Sequence, residues 1–209
     1  MKRVVLLDLD ECLGSFGAVS AFFQLIVDEK NNPKQPFNIK EIKIISNHLI
    51  KHCLRPGIKT FLNLLYRNRD TLDVVLFTNH ENPDFLPFLQ HCLNYLITGS
   101  VRIKRGRRIT LFSGWVTRND PRRKTTPNKN IEEILQLLPH KGPFKTIMFD
   151  DTVSKIISDE SRDVVVEVPA YDWDPPYECF KETWNLIFPT KHLMSEKDLI
   201  KMDEDYEYM

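Results

Sequence analysis

Lys2-Arg3-Val4-Val5-Leu6-Leu7-Asp8-Leu9-Asp10-Glu11-Cys12-Leu13 decides how the chain is read. An apolar run ends abruptly in two aspartates separated by one leucine. A short, unbroken apolar run suits a strand covered on both faces, as in a parallel sheet. Strand periodicity then sends Asp8 and Asp10 to the same side. Two carboxylates so close repel each other unless a cation lies between them or one carries a proton. The alternative is an ordinary acidic turn after a strand.

The same theme returns twice. Asp73-Val74-Val75-Leu76-Phe77 runs into Thr78-Asn79-His80, and Thr146-Ile147-Met148-Phe149 runs into Asp150-Asp151. Asp163 to Val168 reads as a fourth strand. Helical spacing separates these segments. Phe22 to Val27 forms one helix, ended by Asn31-Asn32-Pro33, and Ile42, Ile45, Leu49 and Ile50 fit a second. After Arg55-Pro56-Gly57, residues Ile58, Phe61, Leu62 and Leu65 share one face. Further helices are expected over Pro83–Leu96, Ile131–Leu138 and Tyr177–Phe188. Strands alternating with helices imply an α/β fold with a mainly parallel sheet. Ligands of such sheets bind beyond the carboxyl ends of the strands. If the three acid- or hydroxyl-ended strands are neighbours, Asp8, Asp10, Thr78, Asn79, Asp150 and Asp151 meet in one cleft.

The 209 residues suit one domain, here 1–190, followed by an acidic tail over 191–209 that lacks apolar periodicity. Lysine plus arginine number 29 and aspartate plus glutamate 29, so net charge selects no partner class. Charge is uneven, however. From Ser100 to Lys129 stand Arg102, Lys104, Arg105, Arg107, Arg108, Arg118, Arg122, Arg123, Lys124 and Lys129 against the single acid Asp120. With its short apolar alternations, about 100–128 reads as a basic β-hairpin insertion. It is a solvated hairpin, a platform for an acidic or phosphorylated protein, or a track for a nucleic-acid backbone. Base stacking has thin support there, with only Phe112 and Trp115.

No secretory signal or bilayer-length apolar run is present. Cys12, Cys53, Cys92 and Cys179 form no CxxC pair and fit a reducing compartment. An intracellular protein, cytoplasmic or nuclear and not secreted, is expected. Cysteine-based phosphatase chemistry needs an arginine six residues after the thiol. Ala18, Lys59, Thr98 and Asn185 occupy those positions, which excludes it.

Carboxylates and a hydroxyl, without clustered thiolates or imidazoles, favour a hard cation such as Mg²⁺. His48 and His52 lie four apart but lack further ligands and read as a solvated face. His80 is either a pocket residue or an ordinary loop histidine. A carboxylate beside such a cation can attack phosphorus and form an aspartyl-phosphate.

Asp8-Leu9-Asp10-Glu11-Cys12, Phe77-Thr78-Asn79, a following lysine and Phe149-Asp150-Asp151 resemble, in order, the four motifs of the haloacid dehalogenase (HAD) superfamily of phosphotransferases. Arg55-Pro56-Gly57 with the Phe61-Leu62 helix and Val75–Thr78 resembles one branch of it. That branch holds the small phosphatases of the RNA polymerase II C-terminal domain and the NLI-interacting-factor-like proteins. The resemblance runs from about Val4 to Phe188. It implies a Rossmann-like core with a minimal cap and a Mg²⁺-dependent phosphatase acting on protein phosphoserine or phosphothreonine. A nucleotide or polynucleotide-end phosphatase, or a non-catalytic phosphopeptide-binding module, are the alternatives.

By the same resemblance Asp8 is nucleophile and metal ligand. Asp10 is general acid/base, with its backbone carbonyl on the metal. Thr78 and Asn79 bind the phosphoryl group, and Asp150 and Asp151 complete the metal site. Lys129 is the preferred phosphate-binding lysine, with Lys124, Lys141 and Lys145 as alternatives, and Arg118 a substrate-binding arginine. Cys12 stands where the superfamily usually has Thr or Val, which would weaken a turn hydrogen bond and open the site to oxidation.

Overall fold

The structure, a computed structural model, describes residues 2–31, 37–80, 82, 84–101, 110–138, 144–171, 173 and 175–190. The expected acidic tail, the arginines and lysine of 102–108, and Lys141 lie outside them.

In chain order the elements are β1 (Lys2–Leu7), α1 (Gly17–Lys30), α2 (Ile39–Ile45), a π-helical turn (Ser46–Ile50), α3 (Lys51–Cys53), α4 (Ile58–Arg67), β2 (Leu72–Phe77) and α5 (Phe85–Thr98). Then come β3 (Gly114–Val116), β4 (Lys129–Asn130), α6 (Ile131–Leu137), β5 (Phe144–Asp150), a 3-10 turn (Val153–Lys155), β6 (Ile156–Ile157), β7 (Asp163–Glu167) and α7 (Tyr177–Ile187). Five strands form one sheet in the order β3-β2-β1-β5-β7, every pair parallel. The α/β fold with a parallel sheet is therefore as the sequence implies. β4 and β6 pair separately.

β1 is central, and Val4 to Leu7 are buried, alternating between its two faces. Val5 and Leu7 join Val74, Leu76 and side chains of α1, α2, α4, α5 and α7 in the larger core. Val4 and Leu6 join Val75, Phe77 and Met148 with Ile131, Ile134 and Leu135 of α6 on the other face. Each such side chain contributes about 1.5–3 kcal/mol by leaving water. The register aligns Leu7 with Leu76 on one side and with Phe149 on the other. Asp8, Thr78 and Asp150 therefore emerge at one edge of the sheet.

Local signals account for several helix ends. Asn38 caps α2 by accepting from the Lys40 and Glu41 N–H groups, and Glu41 returns the bond to the Asn38 N–H. Asn130 caps α6. Asn31 takes a left-handed conformation to end α1. In the basic segment the observed strand is Gly114–Val116, and Leu111 and Phe112 are buried outside any strand. Burial there follows packing beside β2 rather than apolar alternation.

The loop after β1 is tightly made. Glu11 has φ 60°; its N–H donates to the Gly14 carbonyl and its carbonyl accepts from the Tyr171 N–H. Arg55 Nη2 also donates to the Glu11 carbonyl, at 2.7 Å, and to the Pro169 carbonyl. The guanidinium lies over the Tyr171 ring. A Cβ on Gly14 would fall 2.2 Å from the Cys53 carbonyl oxygen. Because that neighbour is backbone, Gly14→Ala should force the loop apart and destabilise the protein by about 1–3 kcal/mol. Denaturant unfolding measures it, and an unchanged midpoint would refute the packing described.

Candidate active site

An open cleft of about 480 Å³ lies at the carboxyl edge of the sheet. Its walls carry Asp8 and Asp10 from the loop after β1, Thr78, Asn79 and His80 from the loop after β2, and Asp150 and Asp151 from the end of β5. Lys129 enters from β4, and Ser15, Phe16 and Gly17 from the start of α1. Only Glu11 to Phe16 separate Asp10 from α1, and no cap domain covers the cleft among the described residues.

Lys129 is the electrostatic centre. Its Nζ stands 2.7 Å from Asp8 Oδ1 and 2.6 Å from Asp150 Oδ2, and all three side chains are almost fully buried. The local fold dictates this. β4 pairs with β6, and Asn130 starts α6, whose Ile131 and Ile134 pack under the sheet. Lys129 must then project toward the strand ends. Burial opposes the Lys129 charge, but Asp8 and Asp150 together outweigh it and hold its pKa above the ordinary lysine value. Burial pushes Asp8 up to about 7, with Lys129 opposing and Asp150 adding to the rise.

Oxygens of Asp8, Asp150 and Asp151 all lie within 4.8 Å of one another. Asp150 Oδ1 accepts from the Thr152 N–H, and Asp151 Oδ2 accepts from the Thr152 hydroxyl. Three hard oxygen donors, without thiolate or imidazole among them, suit Mg²⁺. Charge says the same. The cleft has five carboxylates (with Glu11) against Lys129 and Lys155. Their formal excess of negative charge repels a phosphate unless a cation enters.

The expected residues divide as follows. Asp8, Asp10, Thr78, Asn79, Lys129, Asp150 and Asp151 share the cleft; Arg118 does not line it. The alternative lysines Lys124 and Lys145 are exposed away from it. Thr78 Oγ1 accepts from the His80 N–H, which leaves the hydroxyl proton to donate. His80, which the sequence leaves open, lines the cleft and contacts Asp10.

Arg123 is a residue that the sequence hides inside a basic run. It is buried, and its guanidinium donates to the Thr78, Thr117 and Asn128 carbonyls and to Asn79 Oδ1. It braces the loop after β2 from behind, near the Phe77 ring. Nothing in a one-dimensional pattern separates it from Arg122, whose charge is met at the surface by Asp120.

Cys12 is also explained. It is buried, its thiol donates to the Phe149 carbonyl at 3.5 Å, and burial with nearby Asp8 and Asp150 pushes its pKa up to about 12. The thiolate needed for oxidation is suppressed, contrary to the oxidation expected from sequence. The thiol fills core space and supplies a weak donor.

No family model matches the chain, and no curated protein does. Three solved structures are similar at low identity. The HAD domain of effector protein Lem4 from Legionella pneumophila, in an inactive mutant form, is 11% identical with a TM-score of 0.48, over 96% of this chain and 98% of that one. YfnB of Bacillus subtilis, assigned as a HAD-hydrolase and bound to magnesium, is 14% identical with a TM-score of 0.40, over 74% and 82%. A HAD family enzyme from Bacteroides thetaiotaomicron, an aspartate-to-alanine mutant in complex with magnesium and inorganic phosphate, is 13% identical with a TM-score of 0.32, over 83% and 97%. No helix among the described residues is long and apolar enough to cross a membrane.

Two predictions follow from this geometry. Arg123→Met should cost roughly 2 kcal/mol or more, because several buried acceptors lose a charged donor; urea unfolding reads it. Separately, Asp8 binds its proton more tightly folded than unfolded. Metal-free stability should therefore fall as pH rises from about 4 to about 7. Mg²⁺ must displace that proton, so its affinity should climb about tenfold per pH unit toward 7 and then level. Mg²⁺ titrations followed by thermal unfolding at several pH values check the slope.

Proposed function

We propose that the protein is a Mg²⁺-dependent phosphatase of the HAD type that passes through an aspartyl-phosphate on Asp8. One observation carries this reading. Asp8, tied to Lys129 at 2.7 Å, shares an open cleft with two further carboxylates, a threonine hydroxyl and a second aspartate, Asp10.

Asp8, Asp150 and Asp151 would hold the ion. When bound, it supplies positive charge that offsets the carboxylates and the phosphoryl oxygens. The chain's own groups do the rest. An Asp8 oxygen attacks phosphorus and the bond to the leaving alkoxide breaks, while Asp10 gives that alkoxide a proton. Lys129 and the Thr78 hydroxyl hold the transferring group. Asp10 then takes a proton from water, whose oxygen attacks phosphorus and frees phosphate and Asp8. Asp8 ionises readily as soon as a cation offsets its burial.

The substrate we infer is phosphoserine or phosphothreonine on a protein segment, the substrate class of the polymerase-phosphatase branch. The absence of a cap among the described residues supports it, since a polymer can enter an open cleft. The described part of the basic segment gives little to a nucleic acid. Arg122 is met by Asp120, Arg123 is buried, and Lys129 is inside the site. The intact pair of Asp8 and Asp10 supports an enzyme over a non-catalytic phosphopeptide binder.

Hydrolysis of a generic aryl phosphate should require Mg²⁺ and fall by several orders of magnitude in Asp8→Asn. Activity without Mg²⁺, or undiminished in the variant, would contradict the proposal. In a panel of phosphopeptides and of 3′- and 5′-phosphorylated oligonucleotides, preferential turnover of the oligonucleotides would reject the substrate class.

A further inference from the structure

The two oxygens of Asp10 are treated differently. Oδ2 lies 3.0 Å from His80 Nδ1. Oδ1 is shielded from solvent and has no hydrogen-bond partner among the described residues. The far nitrogen of the same ring, Nε2, lies 3.2 Å from Ser20 Oγ. Ser20 is wholly buried in α1, and His80 is buried against the Phe85 ring, centroids 5.2 Å apart. The His80 N–H is itself bonded to Thr78 Oγ1. The imidazole is thus held at both ring nitrogens, on one face and at its backbone.

The partners assign the ring protons. The Asp10 carboxylate oxygen accepts, so Nδ1 must donate. Nε2 of the neutral ring then accepts, and the donor it meets among the described residues is the Ser20 hydroxyl. The chain of donors runs one way, from Ser20 through His80 to Asp10. It persists when Oδ2 itself carries a proton, because the hydroxyl oxygen of the acid still accepts from Nδ1–H.

We propose that His80 is a positioning residue for Asp10. With Oδ1 shielded, Oδ2 is the oxygen that delivers the proton to the leaving group and later removes one from water; His80 holds it in place, and Ser20 fixes the ring tautomer that makes this possible. The inference rests on the phosphatase reading and adds to it a fixed proton-carrying oxygen. A carboxylate free to turn would spend much of its time with neither oxygen in reach.

An anchored general acid matters most when the leaving group is a poor one. The test compares p-nitrophenyl phosphate, which departs without help, with phosphoserine peptide, which needs a proton. Both are measured in the full chain with Mg²⁺ for wild type, His80→Ala, His80→Asn and Ser20→Ala. His80→Ala should lower kcat/KM, which reports the steps up to departure of the alcohol, at least about tenfold more on the alkyl ester than on the aryl ester, within the range that general-acid catalysis spans. His80→Asn keeps an N–H near the Nδ1 position and should recover most of the difference. Ser20→Ala should show the same bias, smaller. Equal losses on both esters, or an Asn variant no better than Ala, would overturn the proposal, because a merely structural histidine has no leaving-group preference. A wild type that turns over neither ester would instead reject the phosphatase reading, and this inference with it. Unfolding midpoints of the three variants identify any that fails to fold, and Ser20→Ala and His80→Asn then carry the comparison.

Discussion

A lysine ammonium buried between two aspartates organises the end of this sheet. Asp8 and Asp150 leave adjacent strands side by side, two carboxylates buried together. Lys129 lies within hydrogen-bond distance of both. Breaking a buried pair of this kind strands the remaining charge, commonly at a cost of about 3–5 kcal/mol. One lysine does not balance the cleft, though, because five carboxylates line it. The residual negative charge makes the apo cleft a poor host for a phosphate and a good one for a hard dication. Burial, with Asp150 adding to it, raises the pKa of Asp8, and the residual charge draws in the cation that the proposed chemistry requires.

Two arginines do for the loops what Lys129 does for the carboxylates. Arg55 joins the loop after β1 to the segment after β7 through the Glu11 and Pro169 carbonyls. Arg123 ties the loop after β2 to the chain that leads into β4. Planar guanidinium groups suit this work because each satisfies several carbonyls at fixed angles. Rigid loops would hold the proposed nucleophile, Asp8, and the Thr78 hydroxyl in place before a substrate arrives. The side chains that flank the chemistry are correspondingly buried: Asp8, Thr78, His80, Lys129 and Asp150 are each less than a tenth exposed.

Much of this is visible in the sequence. Strands β1, β2 and β5 show as apolar runs because both of their faces are covered, and their polar exits name Asp8, Asp10, Thr78, Asn79, Asp150 and Asp151. What the chain does not display is anything that depends on which distant segments meet. The resemblance prefers Lys129 among four lysines near the third motif, and the packing of α6 under the sheet brings it to the strand ends. A basic run does not separate Arg118 from Arg123, yet Arg123 turns inward and Arg118 does not line the cleft. Ser20 sits within an apolar helix, where no pattern marks it as a partner for His80. Cys12 reads as a redox liability until the Phe149 carbonyl and the burial around it come into view.

The central claim is that Asp8 is the group that takes up phosphate. Acid-quenched turnover of a phosphopeptide with Mg²⁺, digested and read by mass spectrometry, tests it most directly. A phosphate adduct on the peptide carrying Asp8, absent in Asp8→Asn, is the predicted result. Rapid hydrolysis with no adduct at any quench time, or an adduct on another residue, would contradict the account.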